Sequence, residues 1–370
     1  MDVSPLGWVH PQSEDVVAHV NRIGAAVPAN DVHQAFIDFA GSLLTDSRSR
    51  RLFGRMADRA GIAHRYSHLR PGPPGAATLD TTDFYRRGAF PSTARRMQAY
   101  EAQAVELAVQ AVEALDVSEE RVSHLIVASC TGFTAPGLDQ QIARRLGLGG
   151  SLERMMVGFM GCYAAVPALR AARHIVRSDP GARVLVVNLE LCTLHLQETQ
   201  DLETMLSFLV FGDGATAALV TAEPRGIALH GFHAVTVPDT EGLITWRIGD
   251  QGFDMHLSGK VPACIATTLR AEADRNDGAG ILQGTDPADV ALWAVHAGGR
   301  TVLDAVEQGL RLQPHALAHS RAVLRDVGNV SSATLGFVLA RMLADPAQGS
   351  GVAMAFGPGL CAETFRFTRT

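Results

Sequence analysis

HLIVASC at residues 124–130 and ALWAVH at residues 291–296 are both short apolar runs, and each ends on a side chain with chemistry, Cys130 in one and His296 in the other. Runs of this length and composition read as buried strands. Their ends lie 166 positions apart. LVVNLE at 185–190 and VAMAFG at 352–357 repeat at a spacing of 167, and so do Gly161-Cys162 and Gly328-Asn329, each of which opens a helical pattern. Concordant offsets of this kind predict an internally duplicated α/β fold. Cys162, His296 and Asn329 would then sit at the ends of equivalent elements, facing a shared pseudo-symmetric centre.

Residues 31–60 and 94–115 carry helical apolar spacing, and LRPGPPGAA at 69–77 punctuates them as a surface loop. Further strand-like runs are RVLVVNLEL at 183–191 and ATAALVTA at 215–222. Strands alternating with helices support the α/β class.

The chain has 370 residues, 47% of them hydrophobic, enough for a large core. A net charge of −6 argues against general nucleic-acid binding. Of the 32 basic residues only Lys260 is a lysine, which reads as the bias of a GC-rich, bacterial genome. Five dispersed cysteines without CxxC spacing suggest neither a disulfide framework nor a zinc site, and the 14 histidines show no metal-ligand cluster. GDG at 212–214 is too weak a pattern to indicate a nucleotide. No signal peptide and no apolar stretch near the roughly 20 residues of a membrane helix are read, so a cytoplasmic protein without membrane insertion is expected.

Cys162 follows a glycine and precedes a helical pattern. A cysteine in that place has its thiolate stabilised by free backbone N–H groups and the helix dipole, although a buried structural thiol is the commoner fate of the residue type. With an imidazole to hold the thiolate and a carboxamide to donate to a developing oxyanion, the set suits acyl transfer from a thioester.

Four motifs then occur in order: GFMGCYAA at 158–165, AVHAGGRTVLDAVE at 294–307, GNVSSA at 328–333 and AFGPGL at 355–360. Together they resemble the type III polyketide synthases of the chalcone synthase-like superfamily, from about residue 15 to the C-terminus. The resemblance implies a thiolase-like fold of duplicated βαβαβ halves, a layered αβαβα sandwich, with one half at 1–225 carrying the nucleophile and one at 226–370 carrying His and Asn. It further implies a homodimer that acts on acyl-CoA and malonyl-CoA and needs no cofactor beyond these thioesters. In this reading Cys162 is the nucleophile, while His296 and Asn329 form the oxyanion and decarboxylation pair.

Carried over in the same way, Phe211 of LVFGDG is the gatekeeper, although on its residues alone it is a core aromatic before a Gly-Asp-Gly turn. Gly357, Pro358 and Gly359 form the floor loop. Arg51, Arg55 and Arg59 recur at helical spacing on one face. The stripe suits either a solvated surface or coenzyme A phosphates, and the resemblance favours the phosphates, with Leu52 in place of a further lysine of plant relatives. The expected substrate cavity comprises Cys130, Thr131, Ala135, Cys192, His195, Trp246, Met255 and Ser331, with His195 equally readable as structural.

Trp246 stands where plant enzymes have glycine and should shrink the elongation chamber. The small residues near it suggest a tunnel for a medium- or long-chain aliphatic starter, giving pyrones or resorcinols. An aromatic or malonyl starter, a ketoacyl synthase III-like single condensation, and a Cys/His/Asn thioester hydrolase are the alternatives.

Overall fold

The computed structural model describes residues 16–116, 121–275 and 280–370. The first half runs β1 (Ala18–Ala26), a two-residue β2 (Asn30–Asp31), α1 (His33–Leu43), α2 (Ser47–Asp58), a two-residue β3 (Tyr66–Ser67) and α3 (Thr93–Glu113). It continues with β4 (His124–Ser129), α4 (Leu138–Arg145), β5 (Glu153–Gly158), α5 (Ala165–Ser178), β6 (Val184–Leu191), α6 (Leu202–Val210) and β7 (Asp213–Thr221). The second half opens with β8 (Ile227–Thr236), β9 (Ile244–Gly249), β10 (Gly252–Leu257) and α7 (Val261–Ala273). β11 (Leu292–Val295), α8 (Arg300–Leu310), α9 (Ala318–Val327), α10 (Thr334–Ala344), β12 (Gly349–Gly357) and β13 (Cys361–Arg369) complete it.

Local chemistry starts several of these helices. Asp46, Ser92 and Asp201 each accept a backbone N–H three residues on, capping α2, α3 and α6.

Nine strands pair in the order β11-β12-β13-β8-β1-β7-β6-β4-β5. In the first half β4 and β6 are parallel, while β6–β7 and β7–β1 are antiparallel. The second half repeats the pattern, with β11–β12 parallel and β12–β13 and β13–β8 antiparallel. The halves meet where residues 18–20 of β1 pair antiparallel with 227–229 of β8. This is the duplicated topology of a thiolase-like fold.

Along β4, β6 and β7 both faces of the first-half sheet are buried. Along β6, Val184 and Val186 pack with α5, α10 and the second half. Leu185, Val187, Leu189 and Leu191 pack with residues of α1–α4 on the other face. That is the period-two alternation of a strand covered on both sides. Each such fully buried Val or Leu contributes roughly 1.5–3 kcal/mol. α5 and α10 thus form the middle layer, and their N-terminal ends bring the reactive side chains inward.

One detail of the expected register changes. α5 begins at Ala165 and α10 at Thr334, 169 positions apart rather than 167. Cys162 lies inside the short 3-10 turn that precedes α5, whereas Asn329 stands just ahead of the equivalent turn at Ser331–Ala333. The two residues are therefore neighbours at one centre without being positional equivalents.

Candidate active site

β5 delivers the chain to a tight turn in which Phe159 and Gly161 have φ of 57° and 78°. A side chain at Gly161 would be strained by that φ, and its Cβ would lie 2.6 Å from Pro358 Cδ. A Cβ on Gly357 would in turn meet the Tyr163 ring at 2.7 Å. The Gly357-Pro358-Gly359 loop is therefore seated directly on the turn that carries Cys162. Cys162 Sγ lies 3.6 Å from Ser331 Oγ. Desolvation pushes its thiol up to about 11, with the Ser331 and Asn329 side chains acting the other way.

His296 follows β11, and its backbone N–H donates to Met354 O at 2.8 Å. The residue is buried, and both ring nitrogens lack a hydrogen-bond partner. Burial pushes the imidazole down to about 3. Asn329 Oδ1 accepts from Ser331 N–H at 2.8 Å and from the Thr334 hydroxyl at 3.3 Å. Those bonds leave the Nδ2 group as the donor, and it reaches Gly298 O at 3.1 Å. Gly298 also faces the imidazole: a Cβ there would lie 3.5 Å from His296 Nε2. Cys162, His296 and Asn329 line one cavity together with Phe211, Met255 and Gly357.

A second cavity meets the first at Cys162, Phe211 and Met255 and adds Cys130, Thr131, Cys192, Trp246, Ser331 and Pro358. Most of the expected cavity residues thus come together. Trp246 is fixed by donating Nε1–H to Cys130 O at 2.8 Å. A third narrow cavity shares Cys192, Phe208 and Phe211 with the second and runs on between Val32, Phe36, Leu69 and Leu79.

Two expectations are corrected. His195 lines none of these cavities: it is fully buried, its Nε2 bonds Thr131 O at 2.7 Å, and its Nδ1 accepts Phe253 N–H at 3.0 Å. Its ring stacks on Phe253 with centroids 4.2 Å apart, and burial holds it neutral, down to about 3. It is a structural histidine that braces Thr131 and β10. Ala135 is exposed on the loop between β4 and α4 and lines none of these three cavities. Arg51, Arg55 and Arg59 are exposed along α2 and its C-terminal end, and the Arg59 carbonyl accepts from Arg300 at 3.1 Å.

Sequence reasoning missed Glu190. This fully buried carboxylate accepts from Cys130 N–H at 2.9 Å, the Thr131 hydroxyl at 2.8 Å and the Ser332 hydroxyl at 2.5 Å. Desolvation pushes it up to about 7. An acid closing the apolar run LVVNLE was the available signal. Phe208 and Ile244 were also missed as lining residues; both sit in ordinary apolar stretches that resemble core. Among the described residues no group of His, Cys, Asp or Glu is placed to hold a metal, and no helix is long and apolar enough to cross a membrane.

Residues 9–224 match the family model for the N-terminal domain of chalcone and stilbene synthases, and residues 229–369 match the model for the C-terminal domain. An "alpha-pyrone synthesis polyketide synthase-like" protein, Pks18, of Mycobacterium tuberculosis and Mycobacterium bovis is 31% identical, over 98% of this chain and 94% of that protein. Among solved structures, PKS-I of the brown alga Ectocarpus siliculosus superposes with a TM-score of 0.84 at 26% identity, over 97% of this chain and 100% of that one. The C-terminal type III polyketide synthase domain of Steely1 from Dictyostelium gives a TM-score of 0.86 at 22% identity, over 95% and 99% of the two chains, and bears on the fold alone.

Proposed function

The chain belongs to the chalcone and stilbene synthase family, and we propose that this type III polyketide synthase carries its starter on Cys162 and extends it with malonyl-CoA at His296 and Asn329. The carrying observation is that these three side chains converge on one cavity, with the imidazole nitrogens uncommitted. The Cys162 thiolate attacks the starter thioester, and coenzyme A leaves with the proton. Malonyl-CoA then loses carbon dioxide. The His296 ring and the Asn329 Nδ2 group stabilise the resulting enolate oxygen by donating to it, and its carbon attacks the acyl-cysteine. That step forms the carbon–carbon bond and returns the thiolate.

Phe211 acts as the gatekeeper between the loading and extension sides, a role supported by its place in all three adjoining cavities. The exposed Arg51, Arg55 and Arg59 meet coenzyme A phosphates. The division at 225/226, with the nucleophile on one side and the His–Asn pair on the other, is supported by the repeated strand pattern.

For the starter we favour a medium- or long-chain aliphatic acyl-CoA, cyclised to a pyrone or resorcinol. Trp246 narrows the chamber, and narrow apolar space continues past Cys192 and Phe208. The Mycobacterium relative named for α-pyrone synthesis supports the pyrone. The test is product mass spectrometry with malonyl-CoA and acetyl-, octanoyl-, palmitoyl- and coumaroyl-CoA, with Cys162→Ala as control. Pyrones or resorcinols from octanoyl- and palmitoyl-CoA, absent with Cys162→Ala, are expected. Condensation with coumaroyl-CoA alone would overturn the starter assignment, and thioester hydrolysis without condensation would overturn the mechanism.

A further inference from the structure

Arg65 lies nearly a hundred positions before Cys162, is 1% exposed, and has no part in the chemistry described above. Its guanidinium is nonetheless committed to the segment that carries Phe211. Nη1 donates to Phe208 O at 3.2 Å and to Phe211 O at 2.6 Å. Nε donates to His33 Nδ1 at 2.9 Å, and Cζ stands 4.5 Å above the centroid of the Phe36 ring. Burial lowers its pKa to about 9, opposed by Asp31 and Asp213, so it is still a cation at neutral pH. The same burial, reinforced by the Arg65 charge, lowers His33 to about 4 and keeps it a neutral acceptor.

The need for this cation follows from the end of α6. The last carbonyls of a helix have no partner within it, and a positive charge there also suits the dipole. Arg65 takes the Phe208 and Phe211 carbonyls. The Val210 carbonyl accepts from Asn329 N–H at 2.8 Å, and Gly212 N–H donates to Asn329 O at 3.0 Å. The segments bearing Phe211 and Asn329 are thus bonded to one another. Arg65 packs against both of them. Gly328 has φ 77°, and a Cβ there would lie 2.8 Å from Arg65 Cγ and 3.0 Å from Val210 O.

We propose that Arg65 is a positioning residue that sets the Phe211 ring and the Asn329 amide against Cys162, and so determines how tightly malonyl decarboxylation is coupled to condensation. This rests on the roles given above to Phe211 and Asn329. The enolate has two fates. It attacks the acyl-cysteine, or it takes a proton from water and leaves as acetyl-CoA. A displaced Phe211 admits water, and a displaced Asn329 moves the enolate from its target; both favour the second fate.

The readout is acetyl-CoA released per condensed product formed, which does not depend on the folded fraction of a preparation. Arg65→Gln is expected to raise this ratio by about tenfold or more, the scale of a small misplacement at a reacting centre, and to lower kcat for condensation while leaving KM for the starter within about twofold. Arg65→Lys, which keeps the charge and a donor, restores part of the coupling. His33→Ala, which removes the acceptor of Arg65 Nε along with the ring's bond to the Ile62 backbone but leaves the Phe208 and Phe211 carbonyl contacts, raises the ratio more weakly and serves should Arg65→Gln not fold. Variants that melt earlier but partition like the wild type would overturn the proposal. A wild-type enzyme that does not decarboxylate malonyl-CoA would overturn the reading beneath it.

Discussion

Burial alone would leave both Cys162 and His296 uncharged at pH 7, the thiol held up to about 11 and the imidazole down to about 3. Moving the proton from Sγ to the ring leaves the net charge of the cavity unchanged, and two opposite charges close together in a dry site support one another. In the mechanism proposed above the thiolate depends on the ring. In His296→Ala the thiol keeps its burial-raised value. Its alkylation by iodoacetamide at pH 7 is expected to slow by at least about tenfold, with the midpoint of the rate–pH profile moved up towards 11. An unchanged profile would mean that the thiolate forms without His296. The sequence singles out His296 through AVHAGGRTVLDAVE but leaves His195, which also follows an apolar run, open between a cavity-lining and a structural role. The difference is that the hydrogen bonds of His195 are spent on Thr131 and Phe253, and only the folded chain shows it.

Strands with continuous apolar runs were legible: 124–129 and 215–222 fall on β4 and β7 to within two residues, and 183–191 on β6. β5 and β13 were not. ERMMVG mixes charge with apolar residues because it lies at the sheet edge, and CAETFRFTR carries Glu363 ahead of its buried aromatics Phe365 and Phe367 and Arg366 between them. The α10 helix also hides a close approach that composition does not signal. A Cβ on Gly336 would lie 2.3 Å from Thr216 Oγ1 and 2.8 Å from Thr216 Cβ on β7. Helix propensity favours alanine over glycine by up to about 1 kcal/mol, whereas overpacking costs about 1–3 kcal/mol. Backbone-bound atoms of a buried strand do not yield, so the overlap wins. Gly336→Ala is expected to lower the melting temperature by several degrees in a thermal scan; a rise would mean that α10 shifts freely against β7.

The duplication was the most legible feature of the whole molecule, since offsets of 166 and 167 placed Cys130 and His296 after equivalent strands. Assembly was read only through resemblance. The sheet ends on β5, where Met155 and Met156 are 45% and 41% exposed, with Phe133 at 47% nearby. Neighbouring residues of a strand face opposite ways, so both sides of this free edge are open and apolar, which monomers avoid. We assign it to the pairing of the homodimer expected from the resemblance, and the exposed Ala135 loop follows β4, next to it. The wild type is expected to run as a dimer in light scattering after size exclusion, and Met155→Glu combined with Met156→Lys to run as a monomer. An intact dimer would place the interface elsewhere.

If the two halves meet to make one acyl-carrying cysteine, peptide-mapping mass spectrometry finds the acyl group on a single peptide. The enzyme is treated with octanoyl-CoA alone and then given malonyl-CoA. A single octanoyl adduct on the peptide containing Cys162, cleared by malonyl-CoA as an extended product, is the predicted result. An adduct on Cys130 or Cys192 instead would mean that another thiol carries the chain, and its release from Cys162 as free octanoate when malonyl-CoA is added would mean that water, not an enolate, takes it.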